Sequence, residues 1–138
     1  MDDEVAVEQS DYKFVDEPTT VFTEGLGPCI GIAYLNHTQK SAGVCHVPGA
    51  NAAPSIFESF VGELAGQTAD EDAVEIWAVG GEADDPDYAD DVRRDRAFVV
   101  GLLKRTLPNV QIQTIWTEGD VVACSIRVET NPCGIEVE

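Results

Sequence analysis

Apolar and polar positions along this chain change period several times, and each change marks an element. Thr19–Thr23 alternates as a short strand does, and the turn-rich Glu24–Pro28 breaks it. Cys29–Leu35 is an apolar run of strand length. A polar turn, Asn36–Lys40, separates it from a second run, Ser41–Val47, and the two read as a hairpin-like unit. Pro48–Ala53 is a loop in which Asn51 can cap the following helix and Pro54 suits its first turn. Ile56, Phe57, Phe60, Val61 and Leu64 then share one helical face, and Gly66 is a stop. Ala73–Val79 is a strand ended by Gly80-Gly81. An acidic loop, Glu82–Asp91, leads into a second helix from about Tyr88 to Thr106, with Val92, Val99, Leu102 and Leu103 facing inward. Beyond Pro108-Asn109, strands are expected at Val110–Trp116 and Val121–Glu129 around the turn Thr117–Asp120, with a last one at Gly134–Val137. Residues 1–18 read as an acidic lead-in, loose over 1–11, and 19–138 as a single domain. The order β-β-β-α-β-α-β-β-β predicts an α+β fold of mixed, sandwich-like sheets flanked by two helices.

Charge narrows the function classes. The 26 Asp plus Glu against 8 Lys plus Arg leave a net charge of −18, which repels phosphate and excludes a general nucleic-acid binder. Anionic membrane surfaces are disfavoured for the same reason. Such acidity suits a halophilic-like surface in a salt-rich medium, where screening tames self-repulsion, or a basic partner. No stretch approaches the roughly 20 apolar residues of a membrane span, so no membrane insertion is expected. The N-terminus lacks the basic start and apolar run of a signal peptide, which predicts a cytoplasmic protein. The four cysteines, Cys29, Cys45, Cys124 and Cys133, form no CxxC pair and are expected to be reduced, with a Cys124–Cys133 disulfide left open as the alternative.

Candidate chemistry centres on Cys29, which opens a strand after a glycine-rich turn. Backbone amides near Gly27 and Cys29 can approach a ligand closely and hold an oxyanion. A cysteine there can attack a carbonyl if a base stabilises its thiolate, and antiparallel pairing of the two apolar runs could bring His46 beside it. The Thr23 hydroxyl could orient the imidazole, completing a nucleophile, base and orienter set. The plainer account is an inert buried cysteine and a satisfied core histidine. His37 belongs to a solvent-exposed turn. Cys45 and His46 are adjacent on a strand and point to opposite faces, so no metal site is expected from them. Acidic residues after Gly80-Gly81 make that turn unsuited to phosphate, and Trp77 and Trp116 read as packing residues. Arg93, Arg94, Arg96, Lys104 and Arg105 crowd the second helix. The helix dipole accounts for the last two. Arg93, Arg94 and Arg96 are candidates for a cationic docking patch.

The segment TEGLGPCIGIAYLNHTQKSAGVCH resembles the N-terminal signature of the CheD family of chemoreceptor glutamine deamidases. Thr23, Cys29 and His46 match that family's catalytic positions, with its 17-residue Cys-to-His interval kept. Gly25-Leu26-Gly27 matches the Leu-Gly ahead of the cysteine, AVGGEA (Ala78–Ala83) resembles a strand ending in Phe-Gly-Gly-Ala, Arg96 matches a helix-start arginine, and Gly134 a closing Thr-Gly. Pro28, Cys45 and Ala97 stand where the family has serine, alanine and asparagine, and its late Gly-Gly-x-x-Gly-Arg is not recognisable. The resemblance implies the Cys-His hydrolase fold shared with cytotoxic necrotising factor-type deamidases. It implies cysteine-dependent hydrolysis of protein glutamine to glutamate and ammonia, without metal or organic cofactor. The implied partners are a glutamine-bearing protein such as chemoreceptor helices and a CheC-type phosphatase. A catalytically idle CheD-like adaptor and a deamidase-type effector acting on another protein are the alternatives.

Overall fold

The computed structural model describes residues 3–48 and 54–138. Its elements in chain order are β1 (Glu4–Ala6), β2 (Asp11–Asp16), β3 (Thr20–Thr23), β4 (Ile30–Asn36), β5 (Ser41–Val47), α1 (Pro54–Gln67), β6 (Val74–Gly80), α2 (Ala89–Thr106), β7 (Ile112–Trp116), β8 (Ile126–Thr130) and β9 (Cys133–Val137). The architecture is α+β with two mixed sheets, as the pattern predicts. The Asn51 cap expected for α1 lies outside the described residues.

The larger sheet has the order β2-β5-β4-β6-β7 and the smaller β1-β3-β8-β9. The β4–β5 hairpin forms the middle of the larger sheet, antiparallel from Ile30↔Val47 to Asn36↔Ser41. Every residue of these two strands is buried, which explains their continuous apolar runs: a sheet covered on both faces has no solvent side to make polar. On one face Ile30, Ile32, Tyr34, Cys45 and Val47 meet Phe57, Phe60 and Leu64 of α1 and Val99 and Leu103 of α2. On the other, Ala33, Leu35, Ala42 and Val44 meet Val21, Ile126 and Val128 of the smaller sheet. The molecule is thus three layers, with the larger sheet in the middle. Phe14 of β2 stacks on Phe60 at a centroid separation of 5.0 Å. A Cβ at Gly43 would come within 2.6 Å of the Phe14 ring, so glycine is what lets that ring lie on the strand.

Two expectations are corrected, and one alternative is removed. The acidic lead-in is not loose: β1 pairs parallel with β3, and β2 pairs antiparallel with β5 along its whole length. Each sheet takes an edge strand from it. The strand expected from Val121 begins only at Ile126. Thr117 captures the intervening segment, its hydroxyl accepting from Ala123 N–H (2.9 Å) and donating to Ala123 O (3.1 Å), which bends the chain away from a regular ladder. All four cysteines lie within the described residues and none is disulfide-bonded. Cys133 faces Thr130 at the turn end of the β8–β9 hairpin, whereas Cys124 precedes β8 and bonds to Glu138 at the far end, so the two cannot meet.

Candidate functional site

The space between the two sheets collects Thr23, Cys29 and His46. In the β4–β5 register Gly31 lies directly across from His46. Cys29 immediately precedes β4 and packs in the cluster between the sheets with Ala33, Leu35, Ala42 and Val44, on the side to which strand alternation also directs Gly31 and His46. A Cβ on Gly31 would meet Ile126 and Leu26 of the facing layer, so the residue opposite the histidine is kept small by the closeness of the sheets. Thr23, the last residue of β3, reaches across from the smaller sheet. Its Oγ1 lies 2.7 Å from His46 Nδ1 and 2.7 Å from the Val7 carbonyl. The exposures are 1% for Thr23, 4% for His46 and 7% for Cys29.

The hydrogen-bond arithmetic at Thr23 fixes the histidine. A hydroxyl has one proton to give, and the Val7 carbonyl can only accept. Thr23 therefore donates to Val7 and accepts from His46 Nδ1–H, which leaves a lone pair on Nε2. That Nε2 is buried and makes no hydrogen bond among the described residues. Burial also pushes the His46 pKa below its ordinary value, so the ring is neutral at pH 7 and able to take a proton. The same shift has a consequence for stability. As pH falls below about 6.5, the unfolded chain binds a proton at His46 that the native state refuses. His46 thus lowers stability progressively below that pH, by a cost that levels off beneath its folded pKa. Urea midpoints of wild type should fall between pH 7 and pH 5 more than those of His46→Phe.

The turn that carries Cys29 spans residues 26–29. Cys29 N–H donates to Leu26 O at 2.7 Å. That amide, expected as an oxyanion donor, is therefore occupied within its own turn. Gly27 adopts a left-handed φ of +48°. Its N–H shares a peptide unit with the Leu26 carbonyl, so the bond from Cys29 polarises it and strengthens it as a donor. Among the described residues the Gly27 N–H has no partner. Two open clefts flank the segment 22–25. One, of about 430 Å³, is walled by residues 6–9 and reaches His46. The other, of about 420 Å³, is lined by Cys124, Ser125 and Arg127 together with Glu136 and Glu138.

The remaining candidates are dispersed. His37 is half-exposed and pairs with Glu75 at 2.5 Å. Cys45 faces the helices, away from His46, and burial raises its thiol pKa far above the ordinary value. Among the described residues no group of three His, Cys, Asp or Glu side chains is placed to hold a metal ion. Arg93 and Arg94 are exposed and paired with Asp90 and Asp91, at 3.5 and 2.8 Å. Arg96 does not belong with them. It is buried on the inner side of α2, bonded to the Gly81 carbonyl and set over the Trp116 ring. Its place was available from spacing, because Val92, Arg96, Val99 and Leu103 form one helical stripe. Val7 carried no such signal, since it acts through its backbone carbonyl.

No protein-family model matches the chain. Over 47 residues it is 38% identical to a protein named chemoreceptor glutamine deamidase CheD, from Halalkalibacterium halodurans. The match takes in 34% of this chain and spans 29% of that relative's length. The likeness to CheD is therefore partial and short. Among the described residues, no helix is long and apolar enough to cross a membrane.

Proposed function

We propose that this chain is a cysteine-dependent protein-glutamine deamidase. The observation that carries the reading is the buried Nε2 lone pair of a neutral His46, unpartnered among the described residues, with the ring held by Thr23 on the side of the larger sheet where Cys29 packs. A buried imidazole nitrogen left without a partner costs on the order of 1–3 kcal/mol. A neutral imidazole with a lone pair free to take a proton is what a general base requires.

In the mechanism, His46 Nε2 takes the Cys29 thiol proton and Sγ attacks the side-chain carbonyl carbon of a glutamine. The Gly27 N–H supports the resulting oxyanion. Collapse of the tetrahedral adduct breaks the C–N bond, and His46 returns the proton so that ammonia leaves. His46 then deprotonates a water that attacks the thioester, which releases glutamate and restores the thiol. No metal or organic cofactor enters any step. The same steps accommodate a glutamate methyl ester, with methanol as the leaving group. The relative's name makes a chemoreceptor the first substrate to assay, and the sequence resemblance to the CheD family makes a CheC-type phosphatase the first binding partner to try.

The test is mass spectrometry of glutamine-bearing proteins incubated with wild type and with Cys29→Ala. Glutamine peptides heavier by about 1 Da and matching ammonia should appear with wild type alone. Equal conversion by the alanine variant rejects the mechanism. No conversion on any substrate, with receptor binding retained, identifies an idle adaptor. Conversion confined to non-receptor proteins identifies an effector.

A further inference from the structure

We propose that Arg96 is a positioning residue for the nucleophile turn, acting through the Gly80-Gly81 turn at the end of β6; this rests on reading Cys29 as the nucleophile. The connections are all direct. Arg96 Nε and Nη2 both donate to the Gly81 carbonyl, at 2.9 and 2.5 Å. Nη2 also reaches Thr117 O at 3.4 Å, and Nη1 pairs with Glu118 at 3.1 Å. The guanidinium lies 5.1 Å over the Trp116 ring. On the far side of the same turn, Gly81 N–H donates to Cys29 O (2.8 Å) and Glu82 N–H to Gly27 O (2.9 Å). The residues on either side of Pro28 thus both hang by their carbonyls from two consecutive amides.

Each of those amides is held from behind. The Gly81 carbonyl and Glu82 N–H belong to one peptide unit, so the arginine that grips the carbonyl fixes and polarises the N–H that grips Gly27. The Gly80 carbonyl and Gly81 N–H form the next unit back, and Thr117 N–H holds that carbonyl at 2.8 Å. A planar fork with several donors suits this arrangement, and a lysine cannot reproduce it. The glycines are needed for the same contact. Gly80 has a φ of +88°, and a Cβ there would lie 2.8 Å from Cys29 O. The burial of Arg96 is otherwise costly, because a guanidinium withdrawn from water must recover its hydration from fixed acceptors. Here most of those acceptors are the carbonyls of Gly81 and Thr117, which border the nucleophile turn.

The test is the pH profile of Cys29 alkylation by iodoacetamide, followed by peptide mapping, in wild type, Arg96→Lys and the exposed control Lys104→Gln. Arg96→Lys should slow Cys29 alkylation at pH 7 by about tenfold, the worth of one lost charged hydrogen bond, and move the profile's midpoint. Cys124 in the same molecules should react unchanged, and so should Cys29 in the control. A folded Arg96→Lys with the wild-type Cys29 profile overturns the proposal. A wild-type measurement stands beside the variant. The Gly81 and Glu82 amides should exchange with deuterium as slowly as those of β4, and exchange at the rate of an exposed loop overturns the clamp. Neither readout involves glutamine. A protein that releases no ammonia yet shows Arg96-dependent Cys29 reactivity contradicts the proposed function and leaves the clamp standing.

Discussion

Replacing His46 by alanine is expected to lower glutamine deamidation by roughly 10²–10⁴-fold, the usual worth of a positioned general base. The loss should be visible in kcat and in kcat/KM alike, because Nε2 acts on the reacting atoms and not on substrate binding. Thr23→Val makes a sharper comparison. It keeps the shape of the side chain and removes the oxygen between Nδ1 and the Val7 carbonyl. The ring then loses its tautomer preference, and the Val7 carbonyl is left buried without its donor. A smaller loss than for His46→Ala is expected, with a shifted acid limb in the pH–rate profile. Thr23→Ser, which restores the hydroxyl, should recover most of the rate. Stopped-flow or coupled ammonia assays across pH 5–9 measure all three. Wild-type rates in His46→Ala would refute the assignment of the base.

The largest effect on stability is expected at Phe60. Its ring is fully buried, stacks on Phe14 and meets Tyr12 edge-on at 5.6 Å. Truncation to alanine should cost about 3–5 kcal/mol, from lost transfer energy and an unfilled cavity between α1 and the larger sheet. That is a large part of the roughly 5–15 kcal/mol available to a domain of ordinary stability. Urea or thermal melts of Phe60→Ala against wild type measure it. A cost below about 1 kcal/mol would mean that the helix and sheet close up over the gap. Such collapse is difficult here because the Phe14 ring already lies against Gly43 on the same face of the sheet.

The parts of the fold that were legible in the sequence are those whose burial is local and complete. The two runs over 29–47 read as a hairpin because every position except His46 is apolar or small and a polar turn divides them. α1 and α2 were legible from periodicity. β1 and β2 were not. Their residues are mixed acid and apolar, mostly half-exposed, and they become strands only because an existing sheet offers an edge. The site divides in the same way. Cys29 and His46 could be paired through strand alternation, and Thr23 through the resemblance to CheD. The occupation of the Cys29 amide, the role of the Val7 carbonyl and the attachment of Arg96 to Gly81 depend on backbone atoms brought together across long sequence separations. Side-chain pattern does not encode these. Arg96 shows the limit well, since its helical position was readable and its partners were not.

The site is assembled from both sheets, which gives activity a meaning beyond turnover. Thr23 belongs to the smaller sheet, His46 and the start of β4 to the larger, and Val7 to the connection between β1 and β2. Under the proposed mechanism, activity would therefore report whether the two sheets are docked. The Thr23 hydroxyl is anchored on Val7, which directly follows β1, an edge strand paired with β3 alone among the described residues. Edge elements open at lower free energy than the core. With rising denaturant the proposed activity should be lost while the far-ultraviolet signal is still native, making it an early gauge of sheet separation.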